Sequence, residues 1–140
     1  MYFRLIYCSK PTATVTLPMV QDIVAKAQAF NNANRITGAL FFNHEHFLQC
    51  LEGDRTTINK LYHERIAKDP RHSDICLLAA EETTEFYFTD WSMALITQTS
   101  TFKNLFVKYS GMTKFSPTTI ASSDVLDFFL EARAALRNKS

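Results

Sequence analysis

Hydrophobic positions change their period several times along this chain, and each change predicts a new element. The aromatic-rich run "YFRLIYCS" has strand composition, and the Pro- and Thr-rich "KPTATVTLP" ends it. Leu17, Val20, Ile23, Val24, Ala27 and Phe30 then recur at spacings of three and four. That stripe predicts a helix capped by Thr16, with Pro18 in its first turn and its end near "NNANR". "ITGALFFN" and "HFLQCLEG" predict a hairpin. A second helix over "DRTTINKLYHERIAKDP" puts Ile58, Leu61, Tyr62 and Ile66 on one stripe and stops at Pro70. "DICLLAAEE" and "EFYFTDWSMALIT" read as two further strands.

The order βαββαββ predicts an α+β fold of the ferredoxin-like kind, a five-stranded mixed sheet with two helices on one face. In the tail, "FKNLFVKYSG" places Phe102, Leu105, Phe106 and Tyr109 on one face with Gly111 as C-cap, and "SSDVLDFFLEARAAL" opens on Ser with Asp following. The expected organisation is a domain over residues 1–97 and a two-helix extension over 98–140 that packs on the sheet's other face.

Composition narrows the function classes. Lys and Arg number 15 against 14 Asp and Glu, so no strong field draws the chain to nucleic acid or an anionic membrane. Cys8, Cys50 and Cys76 make no CxxC and sit in apolar runs, which predicts three buried thiols in a reducing compartment. The N-terminal apolar run is too short for a signal segment and no 18-residue apolar stretch occurs, so a soluble cytoplasmic protein is expected. With Gly38, Gly53 and Gly111 as its only glycines, the chain holds neither a GxGxxG nor a P-loop. His44, Glu45 and His46 fall where the hairpin turn belongs, and no metal is expected there.

Several apolar faces carry one polar residue each. In the second hairpin strand, alternation groups Gln49 with Phe47 and Leu51, away from His46, Leu48, Cys50 and Glu52. An unpaired buried amide costs roughly 2–7 kcal/mol, so Gln49 needs a partner. Tyr7 shares its face with Phe3 and Leu5, Asn31 continues the Val20–Val24–Ala27 stripe, and Arg65 follows Leu61 by four. If these faces meet between the helices and the sheet, they line an apolar-walled pocket with a polar edge.

In order and spacing, "RLIYCS", "ITGALFF", "FLQCLEG", "DPRH" and "WSM" resemble the BLUF domain, the blue-light sensors that use FAD, over roughly residues 2–97. The tail resembles the two-helix extension of short stand-alone members. The resemblance implies a flavin ring lying between the two helices over the sheet. It assigns the photochemical electron donor to Tyr7 and the glutamine between donor and flavin to Gln49. Ring binding falls to Asn31 with Asn32, and to Arg65, Asp69, Arg71 and His72, with Ile23 and Ile66 as walls. Phe30 stands where relatives often carry a polar residue, and helix two has one residue more than in many of them.

By the same resemblance, blue light draws an electron and then a proton from Tyr7 through Gln49, and the amide is left rotated or tautomerised. The signal leaves through Trp91 and Met93, which alternation places on one face of the fifth strand. The implied output is not catalysis but a change felt by a downstream protein partner, and a homo-oligomer is expected. The rival reading is a flavin-binding or interaction module that keeps the fold without the photochemistry, against which the presence of both Tyr7 and Gln49 argues.

Overall fold

The computed structural model describes residues 1–43, 45–97, 105, 108–109 and 121–138. Its elements are β1 (Tyr2–Pro11), α1 (Leu17–Ala33), β2 (Thr37–Phe42), β3 (Phe47–Asp54), α2 (Arg55–Leu61) running into a π-helical turn (Tyr62–Ile66), β4 (His72–Glu82), β5 (Ala94–Thr97) and α3 (Ser122–Asn138). The sheet order is β4-β1-β3-β2-β5, antiparallel except where β2 meets β5. This is the expected βαββαββ arrangement. The first tail helix, expected over Phe102–Tyr109, falls largely outside the described residues.

Alternation sorts the central strands into two cores. Phe3, Leu5 and Tyr7 of β1 join Phe47 and Leu51 of β3 beneath α1 and α2, where they meet Val20, Val24 and Ile58. Ile6, Cys8, Leu48 and Cys50 face the other way and pack with Phe88 and with Val125, Phe128, Phe129 and Ala132 of α3. Each large side chain buried this way contributes roughly 1.5–3 kcal/mol, so both faces of the sheet are firmly covered. Gly38 of β2 lies so close to β3 that an added Cβ would stand 2.1 Å from the Cys50 carbonyl oxygen, which leaves no room for a side chain.

The helices begin and end where local chemistry asks. Thr16 Oγ1 accepts the Met19 N–H at 3.4 Å, and Asp54 Oδ2 accepts that of Thr57 at 3.3 Å. α1 closes with Arg35 at φ 56°, a left-handed turn usually given to glycine, while the Ile36 N–H reaches back to the Asn31 carbonyl at 2.9 Å. This bond fixes the last turn of α1, which carries Asn31. In helix two the Ala67 N–H bonds the Tyr62 carbonyl at 2.8 Å, five residues back. A π-turn of this kind takes up one extra residue and re-aims those beyond it.

Residues 83–93 depart from the sequence reading. The aromatic run "EFYFTDWSM" has strand composition, yet β5 starts only at Ala94. The cause is a buried carboxylate on the α3 side of β3. Glu52 accepts from Arg4 Nε at 3.2 Å and Nη2 at 3.1 Å, from Thr37 Oγ1 at 3.3 Å, and from the backbone N–H groups of Tyr87 at 2.7 Å and Phe88 at 2.9 Å. Arg4 also donates to the Glu85 carbonyl at 2.7 Å and lies 3.7 Å over the Tyr87 ring. The connection is thus bonded to side chains of the sheet instead of forming a ladder. One consequence is that Trp91 and Met93 do not share a face. Met93 belongs to the core beneath α1, whereas Trp91 packs against the core under α3.

The thiols also divide. Cys8 and Cys50 are buried on central strands, but Cys76, on the edge strand β4, is exposed. Burial pushes the Cys8 thiol up to about 11 and raises that of Cys50 well above its usual range, so neither is a thiolate near neutrality. Among the described residues no helix is long and apolar enough to cross a membrane. Nor does any group of three or more His, Cys, Asp or Glu stand ready for a metal.

Candidate functional site

Pairing of β1 with β3 places Tyr7 directly opposite Gln49, with both side chains on the face under the helices. The Tyr7 hydroxyl donates to Gln49 Oε1, and Gln49 Nε2 points to Met93 Sδ at 3.7 Å. Thioether sulfur is a weak acceptor, so the amide nitrogen has spent little of its capacity. Tyr7 is 4% exposed and Gln49 8%. Burial raises the Tyr7 phenol well above its ordinary range, and the Asp69 carboxylate adds to the effect. The phenol therefore stays protonated wherever the protein is folded near neutrality.

Around this pair lies a cleft between α1, helix two and the sheet. Ile23, Ala27 and Phe30 wall it from α1, Leu61 and Ile66 from helix two, and Leu40, Phe47 and Leu51 from below. Its cavity volume of about 200 Å³ is below the roughly 300–1,000 Å³ of sites that enclose a whole ligand, which suits a flat ring with its appendage outside. Asn31, 2% exposed, is in the lining, and its Nδ2 donates to the Ser92 carbonyl at 2.8 Å. That leaves its oxygen and second N–H for a ligand. Arg65 lies with its guanidinium carbon 4.1 Å over the Phe30 ring, a cation–π contact joining the two helices across the cleft. The apolar Phe30 thus offers the platform on which Arg65 rests.

At the mouth, Arg71 donates to Asp69 through Nη2 at 2.6 Å and Nε at 2.9 Å. The bond from Arg71 lowers the Asp69 carboxyl below its usual range. Thr12 ties this loop to the end of β1 by donating twice, from Oγ1 to the Pro70 carbonyl at 2.7 Å and from its N–H to that of Arg71 at 3.1 Å. His72 Nε2 lies 2.6 Å from the Ile66 carbonyl, which can only accept, so that nitrogen carries the proton. Nδ1 lies 2.7 Å from the Ser9 hydroxyl, which can serve it as donor or acceptor. The ring is thereby fixed edge-on to Tyr7, with centroids 6.1 Å apart.

Of the sequence-predicted residues, Tyr7, Ile23, Asn31, Gln49, Arg65, Ile66, Asp69, Arg71 and His72 line one cleft. Asn32 does not: it is exposed, because one step along a helix from Asn31 turns about 100° away from the cleft. Trp91 stands behind the sheet, 6.2 Å from Phe88 by ring centroids and 5.9 Å from the Arg137 guanidinium of α3. Two contributors escaped the sequence reading. Gln28 Nε2 donates to the Met93 carbonyl at 3.0 Å, and the Gly38 N–H to that of Trp91 at 3.2 Å. Gln28 lies three residues before Asn31, a spacing that puts both amides on one side of α1 and could have been read.

Comparison with known proteins is consistent with this geometry. The family model for sensors of blue-light using FAD matches residues 2–94. The blue light- and temperature-regulated antirepressor BluF of Escherichia coli K12 is 33% identical over 81 residues, covering 58% of this chain and 20% of that protein. The photoactivated adenylate cyclase subunit beta of Euglena gracilis is 30% identical over 95 residues, 67% of this chain and 11% of the relative. The chain thus spans a fifth or less of these curated relatives. Among solved structures, BlsA in its photo-activated state superposes with a TM-score of 0.84 at 30% identity, over 95% of each chain. BlrB in its dark state does so with 0.80 at 26% identity, over 96% of each.

Proposed function

The chain belongs to the BLUF family, the sensors of blue light using FAD, and on that premise we propose that Tyr7 and Gln49 are its photochemical pair and that Met93 reads their state. FAD, when bound, supplies a ring that absorbs blue light and becomes a strong oxidant. The residues fit such a ring. Apolar side chains wall a narrow cleft on three sides, while Gln49 and Asn31 keep amide groups at its edge for a heterocycle's donors and acceptors. Arg65 closes the side near Phe30, and Asp69, Arg71 and His72 hold the mouth where a dinucleotide tail would run.

The observation that carries the reading is the buried bond from the Tyr7 hydroxyl to Gln49 Oε1. A phenol kept neutral by burial releases its proton at neutral pH only as it loses an electron, and Gln49 Oε1 is the acceptor in place. An amide rotated about its last torsion exchanges oxygen for NH₂. Such a rotation turns an N–H towards Tyr7 and takes one away from Met93, so a single torsion changes both contacts. The Met93–Trp91 segment spans the sheet edge from the cleft to α3, which gives a route to the outer surface.

On this reading residues 1–97 sense light and 98–140 present the result. The output is read by a downstream protein partner or by a second copy of the chain, without catalysis by the sensor itself. Chromophore released by heat and identified by chromatography, together with a blue-light difference spectrum, tests the reading. It expects FAD and a small, reversible red shift. Protein produced with ample FAD that yields no flavin, or flavin that shows no red shift, would overturn it.

A further inference from the structure

The chain crosses from one core to the other at Trp91–Ser92–Met93, and all three carbonyls of this crossing are bonded. The Gly38 N–H holds that of Trp91 at 3.2 Å, Asn31 Nδ2 that of Ser92 at 2.8 Å, and Gln28 Nε2 that of Met93 at 3.0 Å. Two of the three donors are side-chain amides from one face of α1. Met93 is also approached from the sheet, where Gln49 Nε2 meets its sulfur at 3.7 Å. An N–H···S contact is too weak to place a backbone, whereas an amide–carbonyl bond in a half-buried site can do so.

We propose that Gln28 is a positioning residue of the light response: it pins the Met93 backbone where the thioether can meet the Gln49 amide. This rests on the switching role proposed for Gln49. Gln28 does not line the cleft, so it acts on the response without touching the chromophore. While Gln49 presents an N–H, Met93 is held from both sides. Once that N–H turns away, the Gln28 bond alone favours the original placement of Met93. Return from the lit form requires the Met93 carbonyl to find Gln28 again, so the bond sets how quickly the segment recovers.

The test compares FAD-loaded wild type with Gln28→Leu, which keeps the bulk and removes the donor, and with Gln28→Lys, which restores an N–H. In Gln28→Leu, FAD and the amplitude of the red shift are expected to be retained. Recovery in the dark should slow by about two- to ten-fold, the equivalent of one hydrogen bond, and Gln28→Lys should bring it back towards wild type. Carbonyl-¹³C methionine labelling adds a readout that general loosening of the fold would not give. The infrared band that disappears in Met93→Leu belongs to Met93, and it should move to higher frequency in dark Gln28→Leu. Wild-type recovery in Gln28→Leu, or an unmoved Met93 band, would overturn the inference. A wild type without any red shift would instead be a failure of the Gln49 reading, and the dark Met93 band would still report whether Gln28 makes its bond.

Discussion

Three residues apart on β3, Gln49 and Glu52 are both polar and both buried, on opposite faces of one sheet. Glu52 receives five hydrogen bonds from Arg4, Thr37, Tyr87 and Phe88 and is fully enclosed. Gln49 has one good bond, from Tyr7, and one weak one to sulfur. A saturated group has no alternative arrangement of similar energy, so it fixes the chain around it. An amide with donors to spare, beside a cleft, can turn. On the proposed function, the difference separates a group that holds the chain in place from one that is free to switch.

Glu52→Ala tests the fixed side and carries the largest expected effect. It strands the Arg4 guanidinium and two backbone N–H groups in the core, at a cost of about 3–5 kcal/mol. Urea unfolding should show the loss, and a drop below about 1 kcal/mol would remove Glu52 from its role as the anchor of residues 85–88. The double change Arg4→Met with Glu52→Gln should recover part of the stability, because no buried charge is then left alone.

Next in size is Tyr7→Phe, which leaves Gln49 Oε1 without its donor and should lower stability by about 1–3 kcal/mol. FAD should remain bound and the red shift should vanish, as read by difference spectroscopy. In wild type the shift should keep its amplitude up to about pH 10, since burial raises the Tyr7 phenol above its ordinary 10.0. The sign follows from the raised value: ionisation is favoured in the unfolded chain first, so stability falls as pH rises past that point. Loss of the red shift near pH 8 would show that a different group controls it.

The smallest effect belongs to the mouth. Arg71 holds the Asp69 carboxyl below its ordinary 3.8, so the pair stabilises the fold above that pH and ceases to as pH falls through the lowered value. The Arg71 side chain is half exposed, which limits the gain to about 1 kcal/mol or less. Asp69→Asn should therefore be slightly less stable than wild type at pH 7, with the gap closing below about pH 4. A gap that persists into acid would mean that the loop is held by Thr12 and Pro70 instead.

Legibility in the sequence follows how local each cause is. β1, β3 and α1 could be read because their patterns are repeated over many residues and because Thr16 caps within three positions. Tyr7, Asn31 and Gln49 stood out as polar residues on otherwise apolar faces, and the fold brings them to one cleft. Residues 85–93 run against their strand composition because the groups that claim their backbone, Glu52 at the Tyr87 and Phe88 N–H and Arg4 at the Glu85 carbonyl, lie more than thirty positions away. The same non-local bonds part Trp91 from Met93. Cys76 was misread for a related reason, since composition does not reveal which strand forms an edge.

The proposed switch makes Gln49 the group that turns. Gln49→Leu closes the apolar face with similar bulk, so the protein should fold and bind FAD. Visible difference spectra before and after blue light then decide the matter. If Gln49 turns, the variant is a folded, yellow protein with no red shift and no recovery phase. A wild-type red shift in Gln49→Leu would contradict it and leave Gln49 as a packing feature of the cleft.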